Sequence, residues 1–255
     1  MTIDTQKTGL FLDNAQRTAT AVPQFEPGAF DLETAYRIQQ ASIAARFQRG
    51  EKPVGMKMGF TSRAKMVQMG VHDMICGWLT DKMLVEDGGV ISHAAFVHPR
   101  VEPEIAFLLK RTISGPLTPM QAMDAVEAVA PALEIIDSRY QNFKFSLEDV
   151  VADNSSSSGF VVGAWHRPDT DLDNLGMIMS VDGRQVEVGS SAAILGHPAR
   201  SLAAAARLSL QCGIPLEAGS IVLAGGATAA VALKIGHSVT LEVQNLGRCG
   251  FTVEA

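Results

Sequence analysis

Across residues 101–110, Val-Glu-Pro-Glu-Ile-Ala-Phe-Leu-Leu-Lys, apolar and polar positions alternate and then give way to an apolar run, which predicts a strand. Ala-Leu-Glu-Ile-Ile-Asp-Ser (132–138) and Gly-Phe-Val-Val-Gly-Ala-Trp (159–165) read as further strands, each apolar enough to be buried. Met177–Val181 and Arg184–Val188 flank Asp182-Gly183, a pair suited to the two positive-φ positions of a type I′ hairpin turn. Three late strands follow, around Gly-Ser-Ile-Val-Leu-Ala-Gly, His-Ser-Val-Thr-Leu-Glu-Val-Gln and Arg-Cys-Gly-Phe-Thr-Val-Glu-Ala.

Helical spacing is concentrated elsewhere. Residues 31–49 predict a helix capped by Asp31 and stopped by Gly50, after a linker over 21–30 that holds Pro23 and Pro27. A turn-rich stretch is expected around Lys-Pro-Val-Gly-Met-Lys-Met-Gly-Phe-Thr-Ser (52–62), then a short helix near 63–69. Thr118-Pro119-Met120-Gln121 is a capping box with Pro at the first helical position, predicting a helix to about Val129. Ser-Leu-Glu-Asp-Val-Val predicts a short helix, and Ser201–Gly213 a longer one capped by Ser201. Strands and helices are not in steady βαβ alternation, so the expected class is α+β: a helical N-terminal part over 1–50 and a β-rich catalytic domain over 51–255.

Composition narrows the function. The chain is 47% apolar and 19% charged, which supports a sizeable core. Its net charge of −6 disfavours nucleic acid and anionic membrane as partners, since both attract basic patches. No run of 18 apolar residues occurs, and the N-terminus lacks the basic start and apolar core of a signal peptide. Cys76, Cys212 and Cys249 are far apart and form no C-x-x-C, so unpaired thiols and a cytoplasmic setting are expected.

The strongest chemical pattern is Glu102-x-Glu104 with Glu134. Side chains two apart on a strand share a face, and two adjacent carboxylates repel unless a proton or cation lies between them. Glu134 sits in an apolar run where an unpartnered charge is costly. Together the three suit Mg²⁺ or Mn²⁺; the alternative is a set of solvated strand-edge acids. Lys57, among glycines and methionines, is placed to bind a carboxylate, stabilise an enolate or pass a proton, or else to snorkel at the surface. Arg100 and Arg139 lie near the proposed ligands and could clamp a substrate carboxylate or serve as structural partners. The serines at 155–158 could form an anion-binding turn or simply a loop. His197, before a proline, reads as a turn residue.

Val-Gly-Met-Lys-Met-Gly-Phe-Thr-Ser, His-Pro-Arg-Val-Glu-Pro-Glu-Ile-Ala-Phe, Ala-Pro-Ala-Leu-Glu-Ile-Ile-Asp-Ser-Arg-Tyr, Val-Ala-Asp-Asn-Ser-Ser-Ser-Ser-Gly, Leu-Gly-His-Pro and Ala-Gly-Ser-Ile-Val-Leu-Ala-Gly-Gly follow in an order that resembles the 2-oxopent-4-enoate hydratase and 4-oxalocrotonate decarboxylase family, within the fumarylacetoacetase-like group. The resemblance covers about residue 50 to the C-terminus. It implies a mixed β-roll core, Mg²⁺ or Mn²⁺ held by Glu102, Glu104 and Glu134, Lys57 as the active-site lysine, and Ser156 near the substrate carboxylate. Hydratases of the family carry an aspartate that helps handle water where this chain aligns Ile75, with Asp73 two residues away. The decarboxylase branch is therefore expected: metal-dependent loss of CO₂ from 4-oxalocrotonate to give 2-hydroxypenta-2,4-dienoate in meta-cleavage breakdown of aromatics. The alternatives are the hydratase reaction and a non-catalytic subunit that scaffolds a hydratase. A complex with the pathway's hydratase and a homo-oligomeric state are expected partnerships.

Overall fold

A computed structural model describes residues 3–62, 66–67 and 73–255. The expected helix at 63–69 falls largely outside the described residues. Two N-terminal helices, α1 (Thr5–Arg17) and α2 (Leu32–Gln48), pack on each other, with Asp4 and Asp31 side chains accepting from the first-turn amides of Lys7 and Thr34. Ile38 and Ile43 of α2 are buried in the main core, so this pair is joined to the β-rich body by apolar contact.

Two sheets make up that body. The first runs β2 (Ile75–Thr80), β1 (Pro53–Gly59), β10 (Ile221–Leu223), β5 (Arg100–Leu109), β6 (Val126–Ile136), β7 (Ser157–Val162) and β3 (Leu84–Val85), with β11 (Val231–Ala232) also on β5. The second runs β4 (Gly89–Ser92), β13 (Gly247–Glu254), β12 (Ser238–Val243), β8 (Gly176–Val181) and β9 (Arg184–Ser190). Pairing is mixed: β1–β10, β3–β7 and β4–β13 are parallel, the other ladders antiparallel. Strands β12 and β13 pack against β6, which buries Leu241 and Phe251. Further along the chain come the helices α3 (Pro119–Met123), α4 (Leu147–Ala152) and α5 (Pro198–Cys212). No helix among the described residues is long and apolar enough to cross a membrane.

The Asp182-Gly183 turn has the expected two positive φ angles, 52° and 73°. Three expectations are corrected. Residues 53–59 form the inner strand β1 and not a turn-rich stretch; Gly55 and Gly59 interrupt its apolar period, yet β2 and β10 pair with it on both sides. Helix α3 stops at Met123 because β-branched Val126 and Val129 pair with β5, extending β6 to eleven residues. Helix α5 begins three residues before Ser201, capped by His197, while the Ser201 hydroxyl donates to Ala224 O at 2.7 Å. The cysteines also differ from expectation. Cys76 and Cys212 are joined as a disulfide, since the C-terminal end of α5 lies against β2, a proximity that a separation of 136 residues conceals.

Candidate metal and substrate site

The register of β5 on β6 places Glu102 directly opposite Glu134, with Glu104 opposite Ala132 on the next same-face position. One carboxylate oxygen from each of the three lies within 4.8 Å of the others. Glu104 and Glu134 are completely buried, and Glu102 is partly so. The chain beyond β10 stays beside β5: Ala224 N and Ala227 N donate to Ile105 O and Pro103 O, and between them Gly225 N donates to Glu104 Oε2 at 2.6 Å. A side chain at Gly226 would bring its Cβ to 2.8 Å from Glu102 Cδ, and one at Gly225 would strike Thr61, so two bare backbone units are needed for this close approach.

Lys57 on β1 reaches into the same place. Its ammonium donates to Glu134 Oε2 at 3.1 Å, and the side chain is buried. One ammonium cannot neutralise three carboxylates. Burial, then the neighbouring Glu134 charge, pushes the Glu104 carboxyl well above the usual range, and burial raises Glu134 against the opposing pull of Lys57. Glu104 Oε1 and Glu134 Oε1 are buried without a hydrogen-bond partner. Unpartnered buried carboxylate oxygens converging with a third carboxylate are what a hard divalent cation requires, so the residues fit Mg²⁺ or Mn²⁺.

A cavity of about 290 Å³ opens onto these groups. Lys57, Arg100, Glu102, Ile75 and Ser156 all line it; Arg139, Asp73, His197 and the fully buried Glu104 and Glu134 are not among its lining residues. Ser156 lies in a turn where Asn154, Ser155 and Ser156 hold left-handed φ angles of 50°, 51° and 59°. Such backbone is strained in non-glycine residues and persists only when its surroundings hold it. Here Asn154 exchanges two hydrogen bonds with the Trp78 backbone, and Ser155 Oγ donates to Cys76 O at 2.8 Å. The Ser156 hydroxyl is buried without a partner.

Arg139 is not at the cavity, which corrects its reading as a substrate clamp. It is fully buried, with Nε 2.6 Å from Asp153 Oδ1, Nη2 on Asp153 O and Nη1 on Ser158 Oγ. Its guanidinium is taken up by Asp153 and Ser158, which flank the serine turn, with Asp137 at 3.9 Å. Asp73 also lies off the cavity, in an exposed ion pair with Arg207 at 2.7 Å. His197 Nδ1 accepts from Ala199 N as the cap of α5. Sequence reasoning missed Thr61, Phe143 and Phe145, which line the cavity from loops that carry no periodic signal.

The profile of the fumarylacetoacetate (FAA) hydrolase C-terminal family matches residues 54–254. The chain belongs to this family. A 4-oxalocrotonate decarboxylase of Pseudomonas sp is 62% identical over 242 residues, spanning 94% of each chain. A 2-hydroxyhexa-2,4-dienoate hydratase of Comamonas testosteroni is 37% identical over 223 residues, spanning 86% of this chain and 84% of its own. Among solved structures, the 4-oxalocrotonate decarboxylase from Pseudomonas putida G7, complexed with magnesium and adipate, superposes with a TM-score of 0.94 at 37% identity, covering 98% of this chain and 97% of that one. The α+β class and the fumarylacetoacetase-like architecture expected from the sequence are those of the family.

Proposed function

We propose that this family member is a divalent-metal-dependent carboxy-lyase that converts 4-oxalocrotonate to 2-hydroxypenta-2,4-dienoate and CO₂. The observation that carries the reading is the meeting of three carboxylates, two with unpartnered buried oxygens, with Lys57 at one end of a cavity walled by Ile75. The similarity to the Pseudomonas decarboxylases supports the choice of substrate. In the reaction the C5–C6 bond breaks and C6 leaves as CO₂. The electron pair forms C4=C5, the former C3=C4 pair forms C2=C3, and the 2-oxo oxygen gains the charge and then a proton.

Glu102, Glu104 and Glu134 would hold the cation, which when bound supplies electrostatic stabilisation of the charge growing on the 2-oxo oxygen. Lys57 holds Glu134 in place and offers a proton donor beside the carboxylates. The Ser156 hydroxyl donates to a substrate carboxylate. Ile75 keeps water from the leaving carboxylate, whose departure as neutral CO₂ is favoured by a less polar wall. Asp73, held by Arg207 away from the cavity, is poorly placed to serve as a base for water, which weighs against hydration. We also propose a complex with a hydratase that consumes the reactive dienol; its test is a joint size-exclusion peak on co-expression. The reaction is tested by incubating purified protein, Mg²⁺ and 4-oxalocrotonate and following CO₂ and the dienol by mass spectrometry. Hydration of the dienol without CO₂ release from the diacid would overturn the assignment.

A further inference from the structure

Arg100 and Phe143 form a unit at the cavity, separate from the carboxylate cluster. Arg100 lies two residues before Glu102 on β5, so its side chain leaves the same face as the carboxylates. Its guanidinium carbon sits 4.2 Å from the centroid of the Phe143 ring, a cation–π contact. The ring is boxed in: Phe145 packs edge-on at 5.5 Å and His98 at 6.3 Å. The backbone that presents it is strained. Asn142 and Phe143 both have left-handed φ, 60° and 56°, and neither is glycine. The turn is pinned through Gln141 N to Val22 O at 2.9 Å, and through Tyr140 Oη to Asp149 O at 3.1 Å.

Among the described residues lining the cavity, the cationic side chains are Lys57 and Arg100. Lys57 is committed to Glu134. A substrate with one carboxylate at the metal end needs a second cation for its other carboxylate, and among the described lining residues Arg100 is the group left to provide it. A guanidinium pressed on an aromatic face keeps its planar fork aimed while shedding part of its water.

We propose that Phe143 is a positioning residue that fixes Arg100 to receive the distal carboxylate, and so makes the cavity select dianions over monoanions. This rests on the proposed placement of the first carboxylate at the metal end. Because the distal carboxylate loses its charge as CO₂ departs, the contact with Arg100 stabilises the bound diacid more than the transition state. Loss of Phe143 therefore raises KM for the diacid and does not lower kcat.

The test measures binding separately from turnover. Adipate and hexanoate, each keeping one carboxylate for the metal end, are titrated by calorimetry into Mg²⁺-loaded wild type, Phe143→Leu, Phe143→Trp and Arg100→Leu. Wild type should bind adipate at least about tenfold tighter than hexanoate, as expected for one charge-assisted hydrogen-bonded pair. Phe143→Leu should lose about 3- to 10-fold for adipate, the range of a partly desolvated cation–π contact, with hexanoate unchanged. Phe143→Trp should retain the preference, and Arg100→Leu should abolish it. Unchanged hexanoate binding shows that the cavity is folded. Equal loss for both acids, or no loss for either, would overturn the role of Phe143; absence of any adipate preference in wild type would overturn that of Arg100. A clear preference without CO₂ release from 4-oxalocrotonate would sink the proposed reaction and leave this inference standing.

Discussion

Replacing Glu104 by Gln separates the cost of the site from its use. The change keeps shape and removes a charge from a fully buried position. The glutamine carbonyl can still accept from Gly225 N, so the backbone around 225 has no reason to move. Metal binding should suffer most, because a charged ligand becomes a neutral one; activity should be lost at limiting Mg²⁺. Without metal, the effect on the fold has the opposite sign. Glu104 has its carboxyl raised by burial and by Glu134, so the folded metal-free protein holds this proton more tightly than the unfolded chain does. Stability is therefore greatest below the unfolded value of about 4.3 and is lost as pH rises through the raised folded value, at about 1.4 kcal/mol for each tenfold difference in proton affinity between the two states. Metal-stripped wild type should lose thermal stability as pH rises above the unfolded value, while metal-stripped Glu104→Gln should be more stable at the alkaline end and show a flatter profile. The measurement is Tm by calorimetry in EDTA as a function of pH, followed by Mg²⁺ titration near neutral pH. Parallel pH profiles for the two proteins, or an undiminished Mg²⁺-induced rise in Tm for the variant, would refute both the burial argument and the ligand assignment.

Lys57→Ala should lower kcat by about 10²- to 10⁴-fold, the usual worth of a positioned proton donor, with less change in KM; steady-state kinetics showing the reverse would make Lys57 a substrate anchor. Ile75→Asp should depress decarboxylation, because a carboxylate on that wall repels the leaving one and draws water to it, and should not by itself confer hydration, since the water must also be positioned. Assaying both reactions on both proteins decides this, and undiminished CO₂ release would remove Ile75 from the wall argument. Arg139→Met should destabilise the fold by about 3–5 kcal/mol by leaving Asp153 buried and unpaired; a urea midpoint within error of wild type would count against a structural anchor.

Much of the site was legible because strand periodicity is local. Glu102 and Glu104 share a face whatever strand lies beside them, and the apolar run around Glu134 made a buried acid conspicuous. That Glu134 stands opposite Glu102 depends on the β5–β6 register, which no local pattern states. Arg139 was ambiguous for the same reason: its spacing from Glu134 places it near the site along the chain, but its direction is set by Asp153, fourteen residues further on. Strand β1 was hidden because glycines and a lysine break an apolar run that is buried by neighbours on both edges. The Phe143 turn gave only a weak signal: Asn142 tolerates left-handed backbone, but nothing in the sequence marks a phenylalanine that follows it into the same region. The Cys76–Cys212 link depends on where the end of α5 meets β2, again a tertiary fact.

The glycines beside the carboxylates bear on how inactive relatives would be told from active ones. A methyl group at position 226 would meet the end of the Glu102 side chain at 2.8 Å and would press one of the three proposed ligands out of its place. On the proposed ligand set, such a protein would keep Glu102, Glu104, Glu134 and Lys57 and still hold the cation poorly. A weakened subunit of this architecture would then need only a single added carbon atom at a residue with no functional group. A census of catalytic side chains would count it as an enzyme, and only the emptiness required at 226 would reveal the difference.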